Sequence, residues 1–278
     1  MIIQIIAVPY RYLLLAITLL LLTGCTTGTV TGSSPLARLA ALETPGILTL
    51  DADARHFIDS SVAGIRTPYE RIRALRKAVF APDGLHFDLD EDRTLSANQA
   101  FHQAGGNCVA LANFFVAALR YLGIDAHFQE TGRQVGKDAG DLRVVARHIN
   151  VSGTLIWHHR QARYVLDYLA VPDEDFKHAT VISDRRAFAH YYNNIGARYL
   201  QRGDLETALQ YLKLALQLDA DTDFVWTNLG VVYTHRGNLE AAEFAYRQAL
   251  ALNRDNTSAR NNLATLKNQW HGHVRRED

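Results

Sequence analysis

The 278-residue chain has only two cysteines, one methionine and six prolines, and its charges cancel, since Lys plus Arg and Asp plus Glu each total 29. Two thiols, Cys25 and Cys108, exclude a disulfide-stapled scaffold and any cysteine-rich zinc or iron–sulfur site within one chain. A net charge of zero supplies no field of one sign to draw in a nucleic-acid backbone, so nucleic acid is not an expected partner. There is no glycine-rich phosphate loop and no H-E-x-x-H pair. Asp88, Asp90 and Asp92 imitate the start of a calcium loop, but Arg93 stands where that loop needs glycine and Gln99 where it needs a bidentate glutamate. His127, His148, His158 and His159 are not spaced as zinc ligands, because His158 and His159 would face opposite sides of a strand. Neither a metal nor a cofactor is expected. What the chain does have, 48% apolar and 21% charged residues, suffices for one medium domain with an appendage or for two small ones.

The N-terminus carries one cation, Arg11, then a mostly aliphatic run from Tyr12 to Leu22, then Thr23, Gly24 and Cys25. That run has the length of a signal-peptide core and falls short of the roughly 20 residues of a membrane span. The line L-T-G-C from Leu22 resembles the lipobox of bacterial lipoproteins. The resemblance implies a signal peptide over residues 1–24, lipidation of Cys25 and, with Thr26 beside it, delivery to the outer membrane facing the periplasm. Residues 25–50 are expected to be a flexible linker, since their first stretch, TTGTVTGSSP, has nothing to bury.

The last third repeats itself. Tyr192, Ile195, Gly196, Tyr199, Gly203, Ala208, Leu212 and Ala215 recur 34 residues on as Trp226, Leu229, Gly230, Tyr233, Gly237, Ala242, Tyr246 and Ala249. This pattern resembles tetratricopeptide repeats, in which small residues let two antiparallel helices approach and large ones fill the gap between them. Residues 189–278 are thus expected to form two repeats and a capping helix from about Thr257. Their groove would dock a substrate or an envelope protein, or else pack on the preceding domain.

Between them the pattern is mixed. Pro68–Phe80 sets Ile72, Leu75, Val79 and Phe80 on one helical face, and Ser96–Gly105 predicts a second helix. Asn107 can cap a third, whose stripe runs Leu111, Phe115, Leu119 and Leu122, so Cys108 falls in its first turn, where free N–H groups and the helix dipole favour a thiolate. Alternating stretches at 125–133, 146–159 and 162–170 predict antiparallel strands, with His148 and Asp167 as neighbours across a hairpin joined near Arg160. Asp184, Arg185 and Arg186 read as a solvated junction before the repeats.

G-x-C opening a long helix, then R-H-x-N-V and Y-V-L-D strands, resembles the transglutaminase-like branch of the papain-like fold. The fold class implied is an α+β papain/transglutaminase-like domain over 51–183, with the Cys helix packed on an antiparallel sheet, followed by an all-α tetratricopeptide array. The resemblance implies that Cys108 is a nucleophile, His148 its general base and Asp167 the group orienting the imidazole. One oxyanion donor would be the Cys108 N–H; for the second, Gln99, His102 and Gln103 are all available. The expected activity is acyl transfer on peptide or protein amides, as protease, amidase or transamidase. The alternative is a non-catalytic lipoprotein scaffold that binds envelope proteins through its repeats.

Overall fold

The computed structural model describes residues 2–7, 46–157, 160–167 and 179–277. Cys25 with its L-T-G-C line and the His158–His159 pair lie outside these residues. Four helices open the globule: α1 (Ala52–Ser61), α2 (Pro68–Phe80), α3 (Ala97–His102) and α4 (Cys108–Tyr121). The caps are those that elementary chemistry requires. Asp51 accepts from the Ala54 N–H at 2.9 Å, and Thr67 precedes Pro68 in the first turn of α2. Every residue of α4 from Val109 to Leu119 is buried, so it is a central helix and not an amphipathic surface one.

A five-stranded antiparallel sheet covers α4, in the order β1-β6-β5-β4-β7, with β1 Ile2–Ala7, β4 His127–Ala139, β5 Leu142–Trp157, β6 Arg160–Asp167 and β7 Thr180–Ile182. Two further strands, β2 (Asp88–Leu89) and β3 (Gly105–Gly106), make a short parallel pair, so the Gly-Gly stretch is held in a ladder and not merely a link between helices. Ile2–Ala7, part of the expected leader, pairs along β6, where it supplies an edge strand rich in β-branched residues. Phe114 and Phe115 of α4, Ile149 and Val151 of β5, and Tyr164 and Leu166 of β6 share one core with α1–α3. The linker expected through residue 50 ends sooner: Ile47 and Leu50 are buried, and the Ile47 carbonyl accepts the Ala97 N–H at 2.8 Å. Two apolar side chains with room in a nearby core outweigh the polarity of the stretch before them.

The repeat region follows as α5 (Asp184–Gln201), α6 (Leu205–Leu218), α7 (Asp223–His235), α8 (Leu239–Leu252) and α9 (Thr257–Glu277). Asp204 and Asn238 cap α6 and α8 through the amides of Thr207 and Ala241. Gly230 is a packing requirement, since a Cβ there would come within 2.4 Å of the Tyr246 ring. Asp184–Arg186 remains partly solvated, with Arg185 exposed, but it is more than a junction. Arg120 of α4 holds Asp184 through both oxygens at 2.6 and 2.9 Å, and Arg186 meets Glu130 at 2.9 Å, because the first repeat helix packs directly on the sheet domain.

The long β4–β5 hairpin projects into the repeats. Leu142, Val144 and Val145 are buried among Tyr192, Ile195, Leu229 and Leu266. Asn228 accepts the Val145 N–H and donates to its carbonyl, both at 2.7 Å. Asn262 treats Arg143 in the same way at 2.9 Å. Asn194, Asn228 and Asn262 recur every 34 residues, so one repeat position grips alternate residues of an extended chain. The repeat groove is therefore filled, over Asn228 and Asn262, by the protein's own strand. Asn228→Ala is expected to cost about 2–4 kcal/mol, because it leaves the buried Val145 N–H without an acceptor, leaves its carbonyl with only the Asn193 amide at 3.1 Å, and removes a third bond to Asn193. Urea unfolding should show both halves destabilised together; a loss below about 1 kcal/mol would contradict a ladder that joins them.

Candidate active site

Cys108 is the first residue of α4, and the chain reaches it through Gly106, whose φ of +140° and whose approach to the Ala110 Cβ leave no space for a side chain. Asn107 caps the helix by accepting from the Val109 and Ala110 amides at 3.1 Å each, and its own amide donates to Thr94 Oγ1 at 2.7 Å. The Cys108 N–H has no acceptor among the described residues. The thiol is free and only half-buried, so it sits at a helix N-terminus where a negative sulfur is favoured and can still be reached.

The register Val151↔Leu166 between β5 and β6 brings Asn150 opposite Asp167 and His148 diagonal to it. His148 Nε2 lies 3.0 Å from each Asp167 oxygen, and Asn150 donates to the same carboxylate at 2.9 Å. His148 is 1% and Asp167 2% exposed, which makes this a desolvated, doubly held imidazole. Burial works against the imidazolium, but hydrogen bonds to Asp167 and to Cys108, together with their charges, outweigh it and lift His148 from 6.5 to about 9. The sulfur and the ring are thus near enough for their charges to act on one another. With Nε2 committed to the carboxylate, Nδ1 is the nitrogen left for the thiol.

The structure therefore brings Cys108, His148 and Asp167 together. It brings none of the three candidates for the second oxyanion donor to the cysteine. Gln99 is folded back into a capping box with Ser96, accepting the Ser96 N–H at 3.0 Å; His102 pairs with Asp51 at 2.6 Å; Gln103 ends α3, exposed. Helix-end chemistry claims the side chains of Gln99 and His102, Gln103 points to solvent, and the cleft at Cys108 is lined by none of the three. That cleft has a volume of about 180 Å³, and its opposite wall is α5, through Asn194, Arg198 and Gln201.

Two features escaped the sequence reading. Asn150 shares the strand face of His148 by its spacing of two, which was a readable signal. The α5 wall was not readable, because the approach of a repeat helix to the cysteine depends on the hairpin that joins the two halves.

A helix-borne cysteine beside a strand-borne histidine and carboxylate defines a papain-like domain, here followed by a repeat region. Comparison with protein families agrees: residues 55–152 match the transglutaminase-like superfamily, and residues 188–218 and 224–256 each match a tetratricopeptide repeat. The chain carries a transglutaminase-like domain joined to tetratricopeptide repeats, a repeat type that suggests protein–protein interaction. The superfamily match includes Cys108 and His148 and stops before Asp167. No curated protein matches the chain.

Proposed function

We propose that the protein is a lipid-anchored cysteine enzyme of the cell envelope that transfers acyl groups from peptide or protein amides. The observation that carries this reading is a half-buried sulfur lining a cleft, beside an imidazole that a buried carboxylate holds. In the proposed reaction the Cys108 thiolate attacks the amide carbon, forming the C–S bond, while the carbonyl oxygen takes the negative charge beside the Cys108 N–H. The C–N bond then breaks as His148 gives its proton to the leaving amine. Water or a second amine, losing a proton to His148, attacks the thioester and frees the sulfur. Asp167 and Asn150 keep the ring in position through both transfers.

A peptidyl electrophile tests this reading. Cys108 is expected to be labelled faster than free cysteine at neutral pH, and Cys108→Ser to abolish both the labelling and any amide turnover. Labelling no faster than free cysteine would instead favour a scaffold without catalysis. The anchor has its own test. Cys25→Ser is expected to move the protein from the membrane fraction to the soluble fraction of the envelope, and unchanged membrane association would refute the lipid tether. Among the described residues no helix is long and apolar enough to cross a membrane.

A further inference from the structure

The cleft at Cys108 carries more positive charge than its own acids neutralise. Lys137 on its rim is answered by Asp92 at 2.6 Å and Glu91 at 3.9 Å, all three well exposed to water. Arg147 is committed to Asp223 at 2.7 Å and Glu130 at 3.6 Å behind the wall. Two guanidiniums remain. Arg198, on the α5 wall one turn beyond Asn194, donates only to the Asp92 backbone carbonyl at 3.1 Å, and its Nε is buried with no acceptor among the described residues. Arg133 also lines the cleft; it is exposed to water, has no carboxylate partner among the described residues, and stands in the β-bulge between Glu130 and Gln134. A desolvated guanidinium donor without an acceptor costs free energy that a carboxylate would recover, and the planar fork of arginine suits a carboxylate in particular.

We infer that Arg198 and Arg133 form a carboxylate-binding subsite in the Cys108 cleft, so that the acyl-transfer substrate is a peptide bearing a free carboxylate close to the amide that is attacked. This rests on Cys108 as the nucleophile. The first repeat helix then acts as part of the substrate-binding wall and not as a remote dock. The carboxylate belongs either to the end of a peptide chain or to an acidic side chain, since both present the same two oxygens.

Alkylation of Cys108 by iodoacetate and by iodoacetamide in the full chain, resolved from Cys25 by peptide mass spectrometry, separates these ideas. The same thiolate displaces iodide from both reagents, so the ratio of the two rates cancels changes in the thiolate and reports how the anion is received. Arg198→Gln and Arg133→Gln are each expected to lower the iodoacetate-to-iodoacetamide ratio by about tenfold, the loss of one charge-assisted pair, and Arg198→Lys by less. A ratio unmoved by either Gln variant overturns the subsite and leaves the nucleophile standing. If neither reagent outpaces free cysteine, the enzymatic reading falls and the subsite with it. Protection of Cys108 from iodoacetamide by trialanine, but not by trialanine amide, places the carboxylate at a chain end. Protection by N-acetyl-alanyl-glutamyl-alanine amide places it on a side chain, and protection by none of these peptides overturns the proposal.

Discussion

His148→Ala is expected to slow the alkylation of Cys108 by iodoacetamide about tenfold at neutral pH, and by no more than the roughly 30-fold that separates a fully ionised thiol from an ordinary one with a pKa near 8.5. The expectation follows from the geometry: the sulfur's favoured charge is answered by an imidazolium that Asp167 holds at 3.0 Å and that persists up to about pH 9. The same ring sets a stability profile. Because its pKa is raised from 6.5 to about 9 on folding, it stabilises the folded chain fully below pH 6.5, and that contribution is lost as the pH rises through 9. Urea unfolding of the wild type should therefore weaken between those two values, and His148→Ala should flatten that decline. Asp167→Asn should move the upper limit downward, since it removes the anion that supports the imidazolium while keeping the shape of the side chain. In amide turnover the loss above pH 9 should appear as a falling rate, because a neutral ring has no proton to give the leaving amine. Alkylation, which needs no leaving-group proton, should not fall there. A His148→Ala protein alkylated within threefold of the wild-type rate would remove the basis for the acid–base pair.

Much of this site was legible in the sequence because each part of it is local. Asn107 before a long apolar stripe announces a capped helix, and that alone places Cys108 at its N-terminus. Alternation in β5 and β6 places His148 and Asp167 on adjacent strands, and a short hairpin between those strands limits the register. The 34-residue period announces paired helices for the same local reason. What was not legible depends on contacts between distant segments. Gln99 has two competing uses, oxyanion donor or partner of Ser96, and only the distance to the cleft decides between them. Ile47 ends a stretch that begins as a polar tether, and its burial depends on a core assembled from residues far along the chain. The repeat groove is legible as a groove, but its filling by Arg143 and Val145 requires the β4–β5 hairpin to reach out of its own domain. Asn194 shows the consequence. It occupies the same repeat position as Asn228 and Asn262, yet it faces the cleft, where the open end of the groove meets Cys108.

Glu130→Gln is expected to lower global stability by about 3–5 kcal/mol, the cost of removing one partner from a buried ion network. Glu130 on β4 is only 11% exposed in its side chain and meets Arg186 at 2.9 Å, His190 at 3.0 Å and Arg147 at 3.6 Å. Arg147 runs on to Asp223 of α7, which Asn253 and Asn256 also hold, so one set of charges ties the sheet to both repeats. Burial alone would raise the Glu130 pKa, but the hydrogen bonds and charges of His190 and Arg186 win and hold it at about 2 against an ordinary 4.5. Because the folded value is depressed, the stabilisation is fully present above pH 4.5 and is lost as the pH falls through 4.5 toward 2. The shift corresponds to about 3 kcal/mol. Wild-type stability should thus decline steeply over that acid window, and the Gln variant, which has no carboxyl to protonate, should start lower and decline less. Both halves of the molecule should unfold together in either protein, since α5 forms a wall of the cleft and is held to β4 by these same ions. A Gln variant within about 1 kcal/mol of wild type, or one whose acid decline is as steep, would show that the network is not what joins the repeats to the cysteine domain. The asparagine ladder to β5 would then be the connection that keeps Arg198 facing Cys108.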